Sequence, residues 1–109
     1  MLELFPDTAD LVEGQLVVGG LRASEVAAEF GTPLVVYCRE TIVAQARAFR
    51  AIDRKALVAF GVKAFPNVAI LRLLHGEGLG ADVSTLGELR FALHAGLRGE
   101  EVLYHGNNK

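Results

Sequence analysis

Three polar residues follow apolar stretches at points where the chain is expected to leave a β-sheet. Lys63 follows one such stretch, Asp82 comes near the end of a second, and His105 closes a third. In parallel βα units the functional side chains gather on the carboxyl side of the sheet, where strands end and loops begin. A lysine partly desolvated by an apolar strand favours its neutral amine, which can form Schiff bases. A solvated surface lysine is the alternative interpretation of Lys63.

The elements that would position these residues alternate between strand and helix. The apolar pattern predicts strands over residues 56–62, 79–83 and 102–105, with helices at about 67–74 and 86–95. Apolar strands separated by helices imply parallel pairing, with at least one face of the sheet covered. Thr85 and Glu88 have the Thr-x-x-Glu form of a capping box, which predicts the start of the last helix.

The first part of the chain has a different pattern. Residues 11–18 predict a hairpin around a glycine turn, and residues 24–30 predict a helix that begins with Ser24 as its cap and ends at Gly31. Residues 34–38 form a continuous apolar run that predicts a buried strand. Residues 40–52 have apolar positions at helical spacing.

Composition excludes several classes of protein. With 109 residues, 51% of them hydrophobic and 22% charged, the chain has the length of one small globular domain and is not disordered. Its net charge of -2 without a basic cluster disfavours nucleic acid as a partner. No apolar run approaches the ~20 residues of a membrane span. The acidic amino terminus does not predict export, and the single cysteine, Cys38, fits a buried structural thiol in a reducing cytoplasm.

The sequence contains three motifs in this order: Gly61-Val62-Lys63-Ala64-Phe65-Pro66-Asn67, then Gly78-Leu79-Gly80-Ala81-Asp82-Val83-Ser84 with Gly87-Glu88-Leu89, and His105-Gly106-Asn107-Asn108-Lys109. They resemble the motifs of the pyridoxal-phosphate-dependent ornithine, diaminopimelate and arginine decarboxylase family. The amino-terminal residues 18–20, 23–34 and 36–37 are similar to this family as well, so the resemblance covers essentially the whole chain. The His-Gly-Asn-Asn-Lys motif points to the diaminopimelate branch, whereas the other motifs also occur in the ornithine and arginine decarboxylases.

This resemblance implies an α/β fold and a division of the chain. Residues 39–109 would begin an alanine-racemase-like (β/α)8 barrel and contain about its first three βα strands. Residues 1–38 would be a short β/α segment that packs with a β domain in the family. Because such a barrel needs roughly 250 residues, the chain is expected to be an amino-terminal fragment that is inactive in isolation. The complete enzyme is expected to be a homodimer.

The resemblance also implies a cofactor and a reaction. Lys63 would hold pyridoxal 5'-phosphate as a Schiff base, and the cofactor would act as the electron sink for decarboxylation of an amino-acid substrate. In the diaminopimelate branch, meso-2,6-diaminopimelate gives L-lysine and carbon dioxide. An ornithine or arginine decarboxylase and a non-catalytic binding homologue are alternatives, and the presence of Lys63 argues against the latter. The other cofactor-side candidates are Asp82, Ser84, Glu88, His105 and Asn107; for Glu88, a capping role alone is an alternative.

Other kinds of site find little support in the sequence. His75, His94 and His105 lie far apart and lack the spacing of metal ligands, so no metal is expected. The pair Gly78 and Gly80 precedes a strand and lacks the third glycine of a dinucleotide loop. There is no Gly-x-Ser-x-Gly motif, and hydrolase chemistry is therefore not predicted.

Overall fold

The computed structural model describes residues 2–106, which form two compact units. The first unit ends at Ala44 and the second begins at Gln45. Length and composition predict one small domain, and the family resemblance implies a division between residues 38 and 39. The structure divides the chain six residues later, within a helix. No helix in the described part of the chain is long and apolar enough to cross a membrane.

The first unit contains a three-stranded antiparallel sheet. Strands β1 (Asp10–Val12) and β2 (Gln15–Val18) form the predicted hairpin, and β3 (Leu21–Arg22) pairs with the other side of β2. Glu13 and Gly14 make the turn between β1 and β2 with φ values of 52° and 76°. Two positive φ angles in a two-residue turn give it the twist that matches the flanking strands.

Helix α1 (Ala23–Phe30) follows this sheet and ends, as predicted, at Gly31 with a φ of 83°. The prediction that Ser24 caps the helix is wrong. The helix begins at Ala23, so Arg22 occupies the capping position and its side chain makes no capping hydrogen bond. Ser24 lies inside the first turn instead, and its hydroxyl donates to Gln15 Oε1 at 3.2 Å.

The predicted strand over residues 34–38 is also wrong. Leu34, Val35, Val36 and Tyr37 are irregular and between 40% and 76% exposed, and only Cys38 is buried. An apolar run becomes a strand only where a neighbouring strand accepts its hydrogen bonds, and no described strand pairs with this segment. The chain then enters helix α2 (Arg39–Ile52), which agrees with the predicted helix.

The second unit contains a parallel sheet in the order β4 (Ala59–Gly61), β5 (Gly80–Val83) and β6 (Val102–Tyr104). The parallel pairing confirms the prediction from the alternating pattern. The first of these strands is shorter than predicted at both ends. Residues 56–58 are not part of the strand, and after Gly61 the chain makes a single 3-10 turn over Val62–Ala64.

Two helices connect these strands and cover one face of the sheet. Helix α3 (Val68–Gly76) is capped by the side chain of Asn67, and helix α4 (Leu86–Ala95) by that of Thr85. Both helices contact β5 and each other. The resulting core consists of Val62, Leu71, Ala81, Val83, Ala92, Ala95 and Leu97.

Candidate functional site

The strand ends of the second unit surround a cavity of about 490 Å³, here called the sheet-edge cavity. This volume lies within the range of small-molecule sites. The parallel register explains why its residues meet: Gly61 pairs with Asp82, and Val83 pairs with Tyr104. Residues that follow each strand therefore reach the same edge of the sheet. The lining residues are Gly61, Lys63, Ala64, Asp82, Ser84 and His105.

Lys63 is presented by the 3-10 turn that follows β4. Val62 on one side of it is fully buried in the core, and the Phe65 N–H closes the turn by donating to the Val62 carbonyl at 3.1 Å. Lys63 itself is exposed. The prediction that this lysine is partly desolvated is therefore wrong within residues 2–106, because the turn carries the side chain away from the core. The structure instead presents an accessible primary amine.

Asp82 and His105 form a hydrogen-bonded pair on neighbouring strands. Asp82 lies between the buried residues Ala81 and Val83, and because side chains alternate along a strand it faces away from the core that contains them. Its Oδ1 is hydrogen-bonded to Nδ1 of His105. The backbone N–H of His105 donates to the Val83 carbonyl at 3.0 Å, which extends the pairing of β5 and β6 by one residue.

Glu88 contributes to the site through the backbone of Ser84. Its carboxylate accepts a hydrogen bond of 2.7 Å from the Ser84 N–H, and its own N–H donates to Thr85 Oγ1 at 3.2 Å. The Thr85 half of the predicted capping box is present. The Glu88 half is displaced by one residue, because the carboxylate reaches Ser84 rather than the N–H of Thr85. The contact fixes the loop that carries Ser84 into the sheet-edge cavity.

Gly106 is a site residue that sequence reasoning did not single out. Its φ is 127°, and a β-carbon at this position would lie 3.1 Å from the Ser84 carbonyl oxygen. Only glycine combines this backbone angle with such a close approach. Its place directly after His105 in the third motif was the available signal. Asn107, the remaining candidate, lies outside the described residues.

Charged contacts concentrate at the other end of β6. Glu101 accepts hydrogen bonds from the Arg98 side chain at 3.2 and 3.3 Å and from the Arg98 backbone at 2.7 Å, and it lies 3.3 Å from His75 Nε2. The Arg98 side chain and backbone lower the pKa of Glu101 from 4.5 to about 2. This cluster stabilises the entry to the strand and lies away from the sheet-edge cavity.

Cys38 belongs to the first unit and has local partners. Its sulfur lies 3.4 Å from Thr41 Oγ1, 3.1 Å from Thr8 Oγ1 and 3.4 Å from Glu40 Oε2. Hydrogen bonds from Thr41 and then Thr8 lower the pKa of the thiol, against the opposing effect of burial. The thiol is free and buried, in agreement with a structural role, although it lies at the start of α2 rather than in a strand.

Lys63, Asp82 and His105 thus line one cavity at the carboxyl edge of a parallel βα sheet. Residues 39–109 match the model of the pyridoxal-dependent decarboxylase family, pyridoxal binding domain. The chain belongs to this family.

Curated proteins similar to this chain include diaminopimelate decarboxylases. That of Actinosynnema pretiosum subsp. auranticum is 44% identical over 106 residues, which cover 97% of this chain and 24% of that protein. That of Bacillus subtilis (strain 168) is 43% identical over 88% of this chain and 23% of that protein. The chain thus spans about a quarter of the length of these relatives.

Two solved structures are similar to this chain in fold. A crystal structure of an Aquifex aeolicus protein superimposes with a TM-score of 0.90 and 36% identity, over 94% of this chain and 26% of that one. The diaminopimelate decarboxylase of M. jannaschii in co-complex with L-lysine gives a TM-score of 0.81 and 35% identity, over 93% of this chain and 25% of that one.

Proposed function

We propose that this chain contributes the cofactor lysine and the neighbouring strand ends to a pyridoxal-phosphate-dependent decarboxylase that converts meso-2,6-diaminopimelate to L-lysine and carbon dioxide. The observation that carries the proposal is the exposed amine of Lys63 in the sheet-edge cavity. The match of residues 39–109 to a pyridoxal binding domain supports it. The diaminopimelate decarboxylases among the similar proteins support the choice of substrate.

The residues of the cavity fit the chemistry of pyridoxal phosphate. Its aldehyde requires an accessible primary amine, and Lys63 supplies one. Its polar ring substituents require hydrogen-bonding groups, and Ser84, Asp82 and His105 line the same cavity. When bound, the cofactor supplies an electron sink for loss of the substrate carboxylate.

Residues of this chain bind the cofactor, transfer protons and position the neighbouring loop. Lys63 anchors the cofactor and accepts or returns protons at Nζ. The Nζ atom is free to move because the side chain of Lys63 is exposed. Glu88 holds the Ser84 backbone in place through its 2.7 Å hydrogen bond. Asn107 remains a predicted cofactor-side residue on the basis of its place in the third motif.

A larger assembly is part of the same proposal. The three parallel strands would be the first of a (β/α)8 barrel, which agrees with the crossover helices α3 and α4 on one face. The first 38 residues would pack with a β domain, and the complete enzyme would be a homodimer. The lone cysteine, which is free, fits a cytoplasmic enzyme.

The test is to locate the lysine that carries the cofactor. The protein is incubated with pyridoxal phosphate, reduced with borohydride, digested and mapped by mass spectrometry. The sequence contains three lysines, Lys55, Lys63 and Lys109, and the pyridoxyl group is expected on Lys63. Lys63→Ala should abolish the label, and Lys55→Ala, which changes an exposed lysine outside the cavity, should leave it in place. A label that follows Lys55 or Lys109 contradicts the proposal.

The substrate is tested separately with the complete enzyme. Diaminopimelate, ornithine and arginine are supplied in parallel, and carbon dioxide release is measured for each. A preference for diaminopimelate is expected, and a preference for ornithine or arginine would move the enzyme to another branch of the family.

A further inference from the structure

His105 is held in place from both its backbone and its side chain. Its N–H donates to the Val83 carbonyl at 3.0 Å, and its Nδ1 is hydrogen-bonded to Asp82 Oδ1. The next residue, Gly106, approaches Ser84 so closely that a β-carbon there would lie 3.1 Å from the Ser84 carbonyl oxygen. The imidazole ring is therefore fixed in position although 63% of the side chain is exposed.

The contact with Asp82 selects one form of the neutral imidazole. An ionised carboxylate can only accept hydrogen bonds, so Nδ1 of His105 must carry the proton. In neutral histidine one ring nitrogen is protonated and the other has a free lone pair. When its ring is neutral, His105 is thereby held as the Nδ1–H tautomer, and Nε2 is left as an acceptor.

The other two histidines of the sequence provide an internal comparison. His94 also directs Nδ1 to an acceptor, the carbonyl of Arg90 at 3.1 Å. His75 has the opposite arrangement, because its Nε2 lies 3.3 Å from the Glu101 carboxylate. For the neutral rings, the same reasoning gives the Nδ1–H tautomer for His94 and His105 and the Nε2–H tautomer for His75.

The free nitrogen of His105 belongs to a residue that lines the sheet-edge cavity. Within residues 2–106, the imidazole ring of His105 forms its hydrogen bond through Nδ1. Lys63, in the same cavity, offers a cationic donor in its protonated form. Asp82, the carboxylate of the cavity, already accepts from His105. Nε2 therefore adds a neutral acceptor that suits a positively charged N–H donor.

We propose that Asp82 is a positioning residue that holds His105 with an unprotonated Nε2, and that this nitrogen accepts a hydrogen bond from the ammonium group of an amino acid bound in the sheet-edge cavity. The ligand class rests on the proposed function. The tautomer rests only on the hydrogen bond between Asp82 and His105.

The first experiment reads the tautomer by NMR. The protein is labelled with 15N-histidine, and long-range 1H–15N spectra of the neutral rings are assigned with His75→Gln and His94→Gln. His105 is expected to carry its proton on Nδ1. Asp82→Ala should convert it mainly to the Nε2–H form that an unconstrained histidine prefers, while His75 and His94 stay unchanged. A wild-type His105 protonated at Nε2 overturns the proposal, and this spectrum is decisive even if the variant does not fold.

The second experiment adds L-lysine, an amino acid with two ammonium groups, as the probe. Its addition is expected to shift the His105 Nε2 resonance in the wild type. His105→Phe should weaken L-lysine binding about tenfold or more, since it removes a hydrogen bond to a charged group. An unmoved Nε2 resonance or an unchanged dissociation constant overturns the ligand assignment.

The two proposals fail in different ways. Pyridoxyl labelling of a lysine other than Lys63 would contradict the proposed function and leave the tautomer result intact. Labelling at Lys63 together with an Nε2-protonated His105 would support the proposed function and contradict the positioning role of Asp82.

Discussion

At the level of single residues, Gly106 lies so close to Ser84 that a side chain would not fit without strain. Replacement by alanine would require a φ of 127° in a residue with a side chain and a contact of 3.1 Å with Ser84 O. We expect Gly106→Ala to lower the free energy of unfolding by about 1–3 kcal/mol, the usual cost of such a backbone conformation. Urea denaturation measures the change. Gly76→Ala is the control, because a β-carbon there meets nothing within 4 Å, and it should not destabilise the protein.

Glu101 gives the protein a pH-dependent stability. Its pKa is lowered from 4.5 to about 2 by Arg98 in the folded state. A carboxyl group with a depressed pKa stabilises the fold fully above its unfolded pKa, and this contribution is lost as the pH falls towards the folded value. We expect the urea midpoint to fall as the pH is lowered from 4.5 to about 2, the interval set by these two values, and to fall less in Glu101→Gln.

Glu100 is the matched control for this experiment. It pairs with the same arginine, but both side chains are 70% exposed and their attraction is screened by water. Glu100→Gln should therefore keep the wild-type pH dependence. An equal loss of the dependence in both variants would contradict the assignment to Glu101.

At the level of elements, the start of α3 depends on one side chain. Asn67 Oδ1 accepts from the N–H groups of Ala69 and Ile70 at 2.9 and 3.1 Å. We expect Asn67→Ala to destabilise the protein by about 1 kcal/mol, as is typical for loss of such a cap. Ser24→Ala, which does not remove a cap in α1, should change stability by less than about 0.5 kcal/mol. Thermal and urea unfolding of both variants test this difference.

The elements that could be predicted from the sequence are those whose signal lies in the local sequence pattern. Helix α2 and the parallel pairing of β4, β5 and β6 were predictable, because apolar spacing and strand–helix alternation are properties of the local sequence. The segment 34–38 was not, since a strand also depends on a partner elsewhere in the chain. Ser24 has the right residue type for a cap, but the extended residue before the helix proved to be Arg22.

The candidate site also has features that could be predicted from the sequence and features that could not. The meeting of Lys63, Asp82 and His105 at one sheet edge follows from parallel pairing and could be predicted from strand ends. The contact of Glu88 with Ser84 and the close approach at Gly106 could not, because they depend on side-chain reach and on a backbone angle. The exposure of Lys63 depends on a 3-10 turn that the apolar pattern does not distinguish from a continued strand.

At the level of the whole molecule, buried surface is unevenly distributed. Among residues 2–106, the first unit has one buried hydrophobic residue, Cys38, whereas the second contains the core cluster around Val83. We expect the amides of β5 to be the slowest to exchange with deuterium and those of residues 34–37 to be among the fastest. Hydrogen exchange followed by mass spectrometry checks this order. Equal protection of the two segments would contradict it.

The exposed apolar residues 34–37 have a consequence for handling the protein. Val35 is 76% exposed, and its three neighbours are at least 40% exposed. Four adjacent apolar side chains on the surface attract other apolar surfaces, including a second molecule, a column matrix or a dye such as anilinonaphthalene sulfonate. We therefore expect polar substitutions in residues 34–37 to reduce such association although the net charge of -2 stays the same.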